Sequence, residues 1–289
     1  MFLKWIVGQV EIYQIIELEA GELIQEIIPE ATHENIKTID WLYPHFANQD
    51  GSLKALVQSF LIKSDGKNIL IDTCNGNDKK RTDIPQWNNL QTDFLVQLEK
   101  MNLGADDIDI VACTHLHMDH VGWNTMLQND VWVPTFKNAR YLFDRNEFEY
   151  WKKKPKEEID DDHAAFNDSV LPVVSAGLVD LVDSNYAIDG NIKFIPTPGH
   201  TPSHVSIYIE SDNEKAIISG DMTHHPCQIQ NPDWITEADT FPDRAKETRI
   251  KLFENIADTN TLFIGSHFAN PVAGKIAKGQ SGNYIFKYE

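Results

Sequence analysis

The sequence predicts a layered α/β or α+β fold, on three observations. Strand-like and helix-like segments are interleaved in both halves of the 289-residue chain, the pattern of sheets covered by helices. Hydrophobic residues make up 42% and charged residues 24%, enough apolar material for a large core and too much for a disordered chain. There is no internal repeat, and no window of 18 uncharged apolar residues that would span a membrane.

Taken in order, residues 10–17, 56–63 and 68–72 read as strands. The last two are joined by Ser64-Asp65-Gly66-Lys67, a hairpin turn. Residues 20–50 break the pattern as a long excursion, a kind of segment that is usually functional or interfacial. It carries Leu23, Ile24, Ile27, Ile28, Ile39, Trp41, Leu42 and Tyr43, which must fold back on their own domain or cover a partner. Residues 90–101 have helical apolar spacing, and 108–113 form a short buried-strand run. Further strands are expected at 139–143, 193–196, 204–209, 215–219 and 262–264, with a helix over 244–256 capped by Asp243. The run 152–162, basic then acidic, reads as a solvated loop or helix end. No composition shift marks a second domain, so 1–289 is read as one.

The net charge of −19 repels phosphate backbones and anionic lipid, so neither nucleic acid nor membrane is expected as a partner. Three cysteines, without a C-x-x-C pair, suit a reducing compartment. The apolar N-terminus is short and lacks a basic start and a cleavage site. A cytoplasmic protein is the expectation.

The chemistry concentrates in one loop. Residues 115–120 read His115-Leu-His117-Met-Asp119-His120, four metal-ligand side chains at the end of a strand run. Leaving a strand, alternate residues such as His115 and His117 can point the same way. The turn that follows lets Asp119 and His120 address a second ion. Imidazole and carboxylate without thiolate suit zinc, with manganese, cobalt or iron as substitutes. One loop cannot complete two coordination shells. Three later positions offer ligands after strand runs: His200 in Thr-Pro-Gly-His, Asp221 in Ser-Gly-Asp, and His267 in Gly-Ser-His. His204 reads as a structural histidine opening a buried strand. His224 and His225 lie between pocket lining and surface loop. Trp5, Trp41, Trp123, Trp132 and Phe136 are candidates for an apolar pocket, although most aromatics simply build core. There is no G-x-S-x-G elbow (Gly279–Asn283 fails at its last position), no H-E-x-x-H, no Walker loop and no G-x-G-x-x-G.

With these residues in place, the chain resembles the metallo-β-lactamase-fold hydrolases from about residue 56 to 267, on Asp72, the H-x-H-x-D-H loop, His200, Asp221 and His267. The resemblance implies a four-layer αββα sandwich with metals at one edge of the sheets. It implies one ion on His115, His117 and His200, a second on Asp119, His120 and His267, Asp221 bridging, and Asp72 behind the ligands. A thiolate replaces Asp221 in the commonest zinc β-lactamases, so β-lactam hydrolysis is disfavoured. Diiron flavoproteins carry a carboxylate at His117, glyoxalase II enzymes add a helical domain after His267, and the tRNA-processing branch needs a basic surface. The chain is most similar to the lactone-cleaving branch, N-acyl homoserine lactonases and methyl parathion hydrolase, which share the excursion, the aspartate bridge and the run Val121-Gly-Trp123-Asn-Thr125.

The resemblance implies a zinc-dependent hydrolase holding two divalent ions, in which a metal-bridging hydroxide opens a lactone or related carboxylic ester of a small-molecule substrate. Asp119 and Asp221 are the catalytic carboxylates. Phosphotriester hydrolysis and a non-catalytic metal-binding domain are the alternatives. The excursion, in this branch, implies a homodimer.

Overall fold

The computed structural model describes residues 2–154, 160–279 and 282–288. The chain forms two compact units, one running to Leu18 and resuming over Val57–Asp183, the other comprising Glu19–Leu56 and the chain from Ser184 on.

The first unit contains β1 (Lys4–Val7), β2 (Val10–Glu19), β3 (Leu56–Ser64), β4 (Lys67–Ile71), β5 (Ile110–Ala112), β6 (Thr125–Gln128), β7 (Val131–Pro134), β8 (Arg140–Asp144) and β9 (Val179–Val182). Seven of these form one sheet in the order β1-β2-β3-β4-β5-β8-β9, and β6 and β7 form a separate hairpin. The turn between β3 and β4 is as expected. Asp65 and Gly66 take φ of 48° and 73°, the left-handed pair that two-residue hairpins require. From β4 to β9 the pairing is parallel, and the inner strands β4 and β5 read as apolar runs, while the edge strand β9 exposes Asp180. Ile69, Leu70, Ile71, Val111 and Phe143 are all fully buried. The helix expected over 90–101 is trimmed to Phe94–Lys100, because Leu90 O accepts from Asp78 N and Thr92 N donates to Asn77 Oδ1 instead of within a helix.

The second unit carries β10 (Ile192–Pro196), β11 (Val205–Ser211), β12 (Glu214–Ile218), β13 (Leu262–Ile264), β14 (Ala273–Lys278) and β15 (Tyr284–Lys287), hydrogen-bonded in that order. β10, β12 and β13 run in the same direction, since β11 is antiparallel to β10 and β12 while β13 is parallel to β12. Their C-terminal ends therefore lie along one sheet edge. The long helix is Pro242–Ile256, with Phe241 rather than Asp243 at its cap. Proline is pre-set for the first helical position, and Asp243 sits in the first turn against the positive end of the dipole.

The excursion packs within this second unit. Its helices Gly21–Ile27 and His33–Ile36 and the turn Asp40–Leu42 bury Ile24, Ile28, Ile36, Ile39, Leu42 and Phe46. The Phe46 ring packs against Phe268, Phe286 and Tyr288 at 5.2–6.3 Å. Of the apolar residues that call for cover, Ile24, Ile28, Ile39 and Leu42 are thus buried within the chain, while Tyr43 stays exposed. Residues 155–159 of the charged run, and 280–281 of the Gly279–Asn283 stretch, lie outside the described residues.

Candidate metal centre

In the first unit the ligand loop leaves the C-terminal end of β5, and Asp72 follows the parallel β4 beside it. Asp72 turns left-handed at φ 56°, and its carboxylate reaches the loop. Oδ1 accepts the Thr114 amide at 2.7 Å, and Oδ2 accepts the Thr114 hydroxyl and His120 Nδ1, each at 2.9 Å. The backbone is laced to match: Thr73 N donates to His120 O, Gly122 N to Cys74 O and Trp123 N to Thr73 O. A Cβ at Gly122 would lie 1.8 Å from Asn75 O, so only glycine permits this approach.

The hydrogen bonds assign the tautomers. The Thr114 hydroxyl donates to Asp72, so it can only accept from His115 Nδ1, 3.0 Å away. His115 Nε2 is then left with its lone pair. His120 donates Nδ1–H to Asp72 and likewise presents Nε2, 3.7 Å from Asp119 Oδ1. His115 Nε2 and His117 Nδ1 converge to 3.0 Å. The first unit thus brings together His115, His117, Asp119 and His120, with Asp72 behind them.

In the second unit His200, Asp221 and His267 follow β10, β12 and β13 at the shared edge. The turn into His200 is made by Gly199 at φ 140°, where a Cβ would lie 2.2 Å from Ala245 N. His200 Nδ1 donates to Asp239 Oδ1 at 3.0 Å and His267 Nδ1 to Leu56 O at 2.8 Å, so both present Nε2. The two oxygens of Asp221 separate these rings: Oδ1 is 3.1 Å from His267 Nε2, and Oδ2 is 3.4 Å from His200 Nε2. His204 proves structural, as expected. Its Nε2 accepts the Asp221 amide at 2.9 Å, while Nδ1 meets Thr197.

These donors fit divalent metal. Two ligands about 2.1 Å from a tetrahedral zinc ion lie about 3.4 Å apart, close to the 3.0–3.4 Å separations found in both units. Each anchored imidazole also donates its other nitrogen to a carboxylate, hydroxyl or carbonyl, which fixes the ligating tautomer.

Two further residues of the second unit stand beside these side chains, one weighed in the sequence between pocket lining and surface loop and one without any local signature. His224 is buried, with Nε2 3.2 Å from Asp221 Oδ2, and with His200 and Asp221 it forms a further group able to hold an ion. Its signal was the i,i+3 offset from Asp221. Asp239 lies 39 residues from His200 with no local signature. Burial works to raise its carboxyl, but the hydrogen bond from His200 outweighs this and holds it well below the usual range. His225 is buried against Phe46 O at 2.9 Å, and burial pushes its ring down to about 4. Trp123 is not pocket lining: it stacks on Phe94 at 5.7 Å and donates to the half-buried Glu17. Trp5 packs on Phe60, and Phe136 is fully buried. Trp41 hydrogen-bonds Gln230.

Among the described residues no helix is long and apolar enough to cross a membrane. The fold matches AidC, a dizinc quorum-quenching lactonase, at 25% identity and a TM-score of 0.79, covering 100% of this chain and 97% of that one. It also matches the hydrolase AbOPH, of the beta-lactamase superfamily, at 22% identity and 0.81, over 100% and 97%. In sequence the chain is similar to the N-acyl homoserine lactonase AiiA of Bacillus thuringiensis subsp. kurstaki, 24% identical over 121 residues, 42% of this chain and 40% of that protein. The match therefore spans about two fifths of that relative's length. The pattern of the metallo-beta-lactamase superfamily covers residues 55–267, which takes in every ligand candidate from His115 to His267, and the chain belongs to that superfamily.

Proposed function

We propose that the protein is a dinuclear-metal hydrolase that opens lactones or related carboxylic esters, N-acyl homoserine lactones among them. The observation that carries this reading is the tautomer pattern. His115, His120, His200 and His267 are each anchored at Nδ1 and each offer Nε2 beside a carboxylate or a second imidazole. The family resemblance would put His115, His117 and His200 on one ion and Asp119, His120 and His267 on the other, with Asp221 serving both. The nitrogen and oxygen donor set favours zinc. The lactone class is supported by the relatives, AiiA and AidC being lactonases by name.

Divalent ions bound there supply water that ionises near neutral pH and a Lewis acid for the carbonyl oxygen. The chain's own residues do the remaining work. Asp221 holds His200 and His267 to either side of one carboxylate. Asp119, beside His120 Nε2, moves the proton to the leaving alkoxide. Asp72 and Asp239 keep their histidines in the ligating tautomer.

Elemental analysis is expected to find two ions per chain, and chelators to abolish turnover that zinc restores. One ion or fewer with full activity would overturn the dinuclear centre. With equal metal loading, kcat/KM should be highest for acyl lactones, lower for aryl esters and lowest for organophosphate triesters. A triester value tenfold above the best lactone, about 1.4 kcal/mol of transition-state preference, would make the protein a phosphotriesterase. Metal binding without turnover on any of the three would leave a non-catalytic metal domain.

The three cysteines are free and buried, which supports a cytoplasmic location. A homodimer now rests on the family resemblance alone, and a 33 kDa particle in light scattering would exclude it.

A further inference from the structure

The acidic end of the run 152–162, which reads as solvated surface, is a set of tethers. Asp160 caps the helix Asp161–Ala165 by accepting His163 N at 2.8 Å. Asp161 is buried and accepts three consecutive amides, Thr82 N, Asp83 N and Ile84 N, at 2.7–3.2 Å. Its own amide donates to Asp83 Oδ2 at 3.1 Å. The start of this short helix is thereby bolted to the 82–84 loop, and the next residue, Asp162, cannot drift. Asp162 Oδ1 accepts the Met118 amide at 2.9 Å, the peptide between His117 and Asp119. Its Oδ2 lies 3.9 Å from His117 Nε2.

His117 differs from the other ligand candidates. Its ligating atom is Nδ1, which converges on His115 Nε2, so the proton must sit on Nε2. The His115 ring stands edge-on to it at 4.5 Å, and so does the Trp151 ring at 5.4 Å. Trp151 is itself held by its Nε1–H on Glu147 Oε1 at 2.8 Å. Packing fixes the ring plane. It does not choose which nitrogen carries the proton, because a ring flipped about its long axis would fill the same space. A carboxylate on the Nε2 side makes that choice, through its charge at this distance rather than through a hydrogen bond.

We propose that Asp162 is a positioning residue of the metal centre, clamping the peptide between His117 and Asp119 and selecting the His117 tautomer that ligates through Nδ1. The proposal rests on the reading above that His117 is a ligand. Its test therefore reads metal binding and ring protonation rather than turnover.

Asp162→Asn keeps an oxygen for the Met118 amide and removes the charge, whereas Asp162→Ala removes both. Zinc affinity measured by chelator competition is expected to fall about tenfold in Asp162→Asn and up to a hundredfold in Asp162→Ala, the range seen when the outer partner of a ligand is lost. Thermal midpoints check that both variants are folded. In the metal-free asparagine variant, histidine-ring 15N shifts should show His117 gaining the Nδ1–H form. Wild-type zinc affinity together with an unchanged His117 tautomer in Asp162→Asn would overturn the proposal while leaving the metal centre standing. Failure of the wild-type protein to bind zinc would overturn both.

Discussion

Asp221→Ala should lose at least one of the two ions and about a hundredfold or more in kcat/KM on the best lactone. The side chain stands between two imidazoles, Oδ1 3.1 Å from His267 Nε2 and Oδ2 3.4 Å from His200 Nε2, with His224 a further 3.2 Å from Oδ2. Removing it leaves three imidazole nitrogens without the carboxylate they surround. Binding two cations side by side then carries their mutual repulsion without the carboxylate that offsets it. The rate term has the size of a deleted electrostatic group at a reacting centre. The backbone is expected to stay in place, because His204 holds residue 221 through its amide rather than its side chain. Metal content and kinetics together decide the matter. Full occupancy with near-wild-type kcat/KM would reduce Asp221 to a turn residue.

The part of this site legible in the sequence is the part that is contiguous or that follows a buried strand. His115 to His120 lie within six residues, and His200, Asp221 and His267 each follow a strand run. Where the chain reaches across a long gap the pattern is silent. Asp239 meets His200 across 39 residues and Asp162 meets Met118 across 44, and neither carboxylate differs locally from a surface aspartate. The excursion is legible only in part. Its isoleucines do need cover, but hydrophobicity is non-directional, and composition alone cannot say that Phe46 will find Phe268 and Phe286. Trp123 misleads in the same way, since the carboxylate that claims its indole N–H is Glu17, 106 positions earlier.

The stability of the fold should depend on pH through Lys79, far along the chain from any ligand. This side chain is fully buried. Its Nζ donates to Thr125 Oγ1 at 2.6 Å and to Asp168 O at 3.3 Å, and lies 3.5 Å from the centre of the Trp132 ring. The carboxylate that pairs with it is already shared: Asp168 accepts from two Arg81 nitrogens, at 2.8 and 3.0 Å, and stands 3.5 Å from Nζ. Two cations thus share one anion out of water. Burial pushes Lys79 down from 10.5 to about 7, with Asp168 opposing and Arg81 assisting. Between those two values the unfolded chain holds a proton that the folded chain does not, so stability rises with pH there, by at most about 1.4 kcal/mol per unit. Below about 7 both states are charged and the slope vanishes. The buried thiols of Cys74, Cys113 and Cys227 act with the opposite sign. Burial raises all three, and above about 8.5 the unfolded chain loses protons that the folded chain keeps. Lys79→Met keeps those cysteines and the Arg81–Asp168 pair while removing the titrating group. With the same metal loading, urea unfolding of the two proteins should show the wild type gaining about 2 kcal/mol on the variant from pH 7 to pH 9. A difference that stays flat over that range would mean that Lys79 keeps its charge in the fold, and that the Trp132 face and Asp168 are enough to hold two buried cations at once.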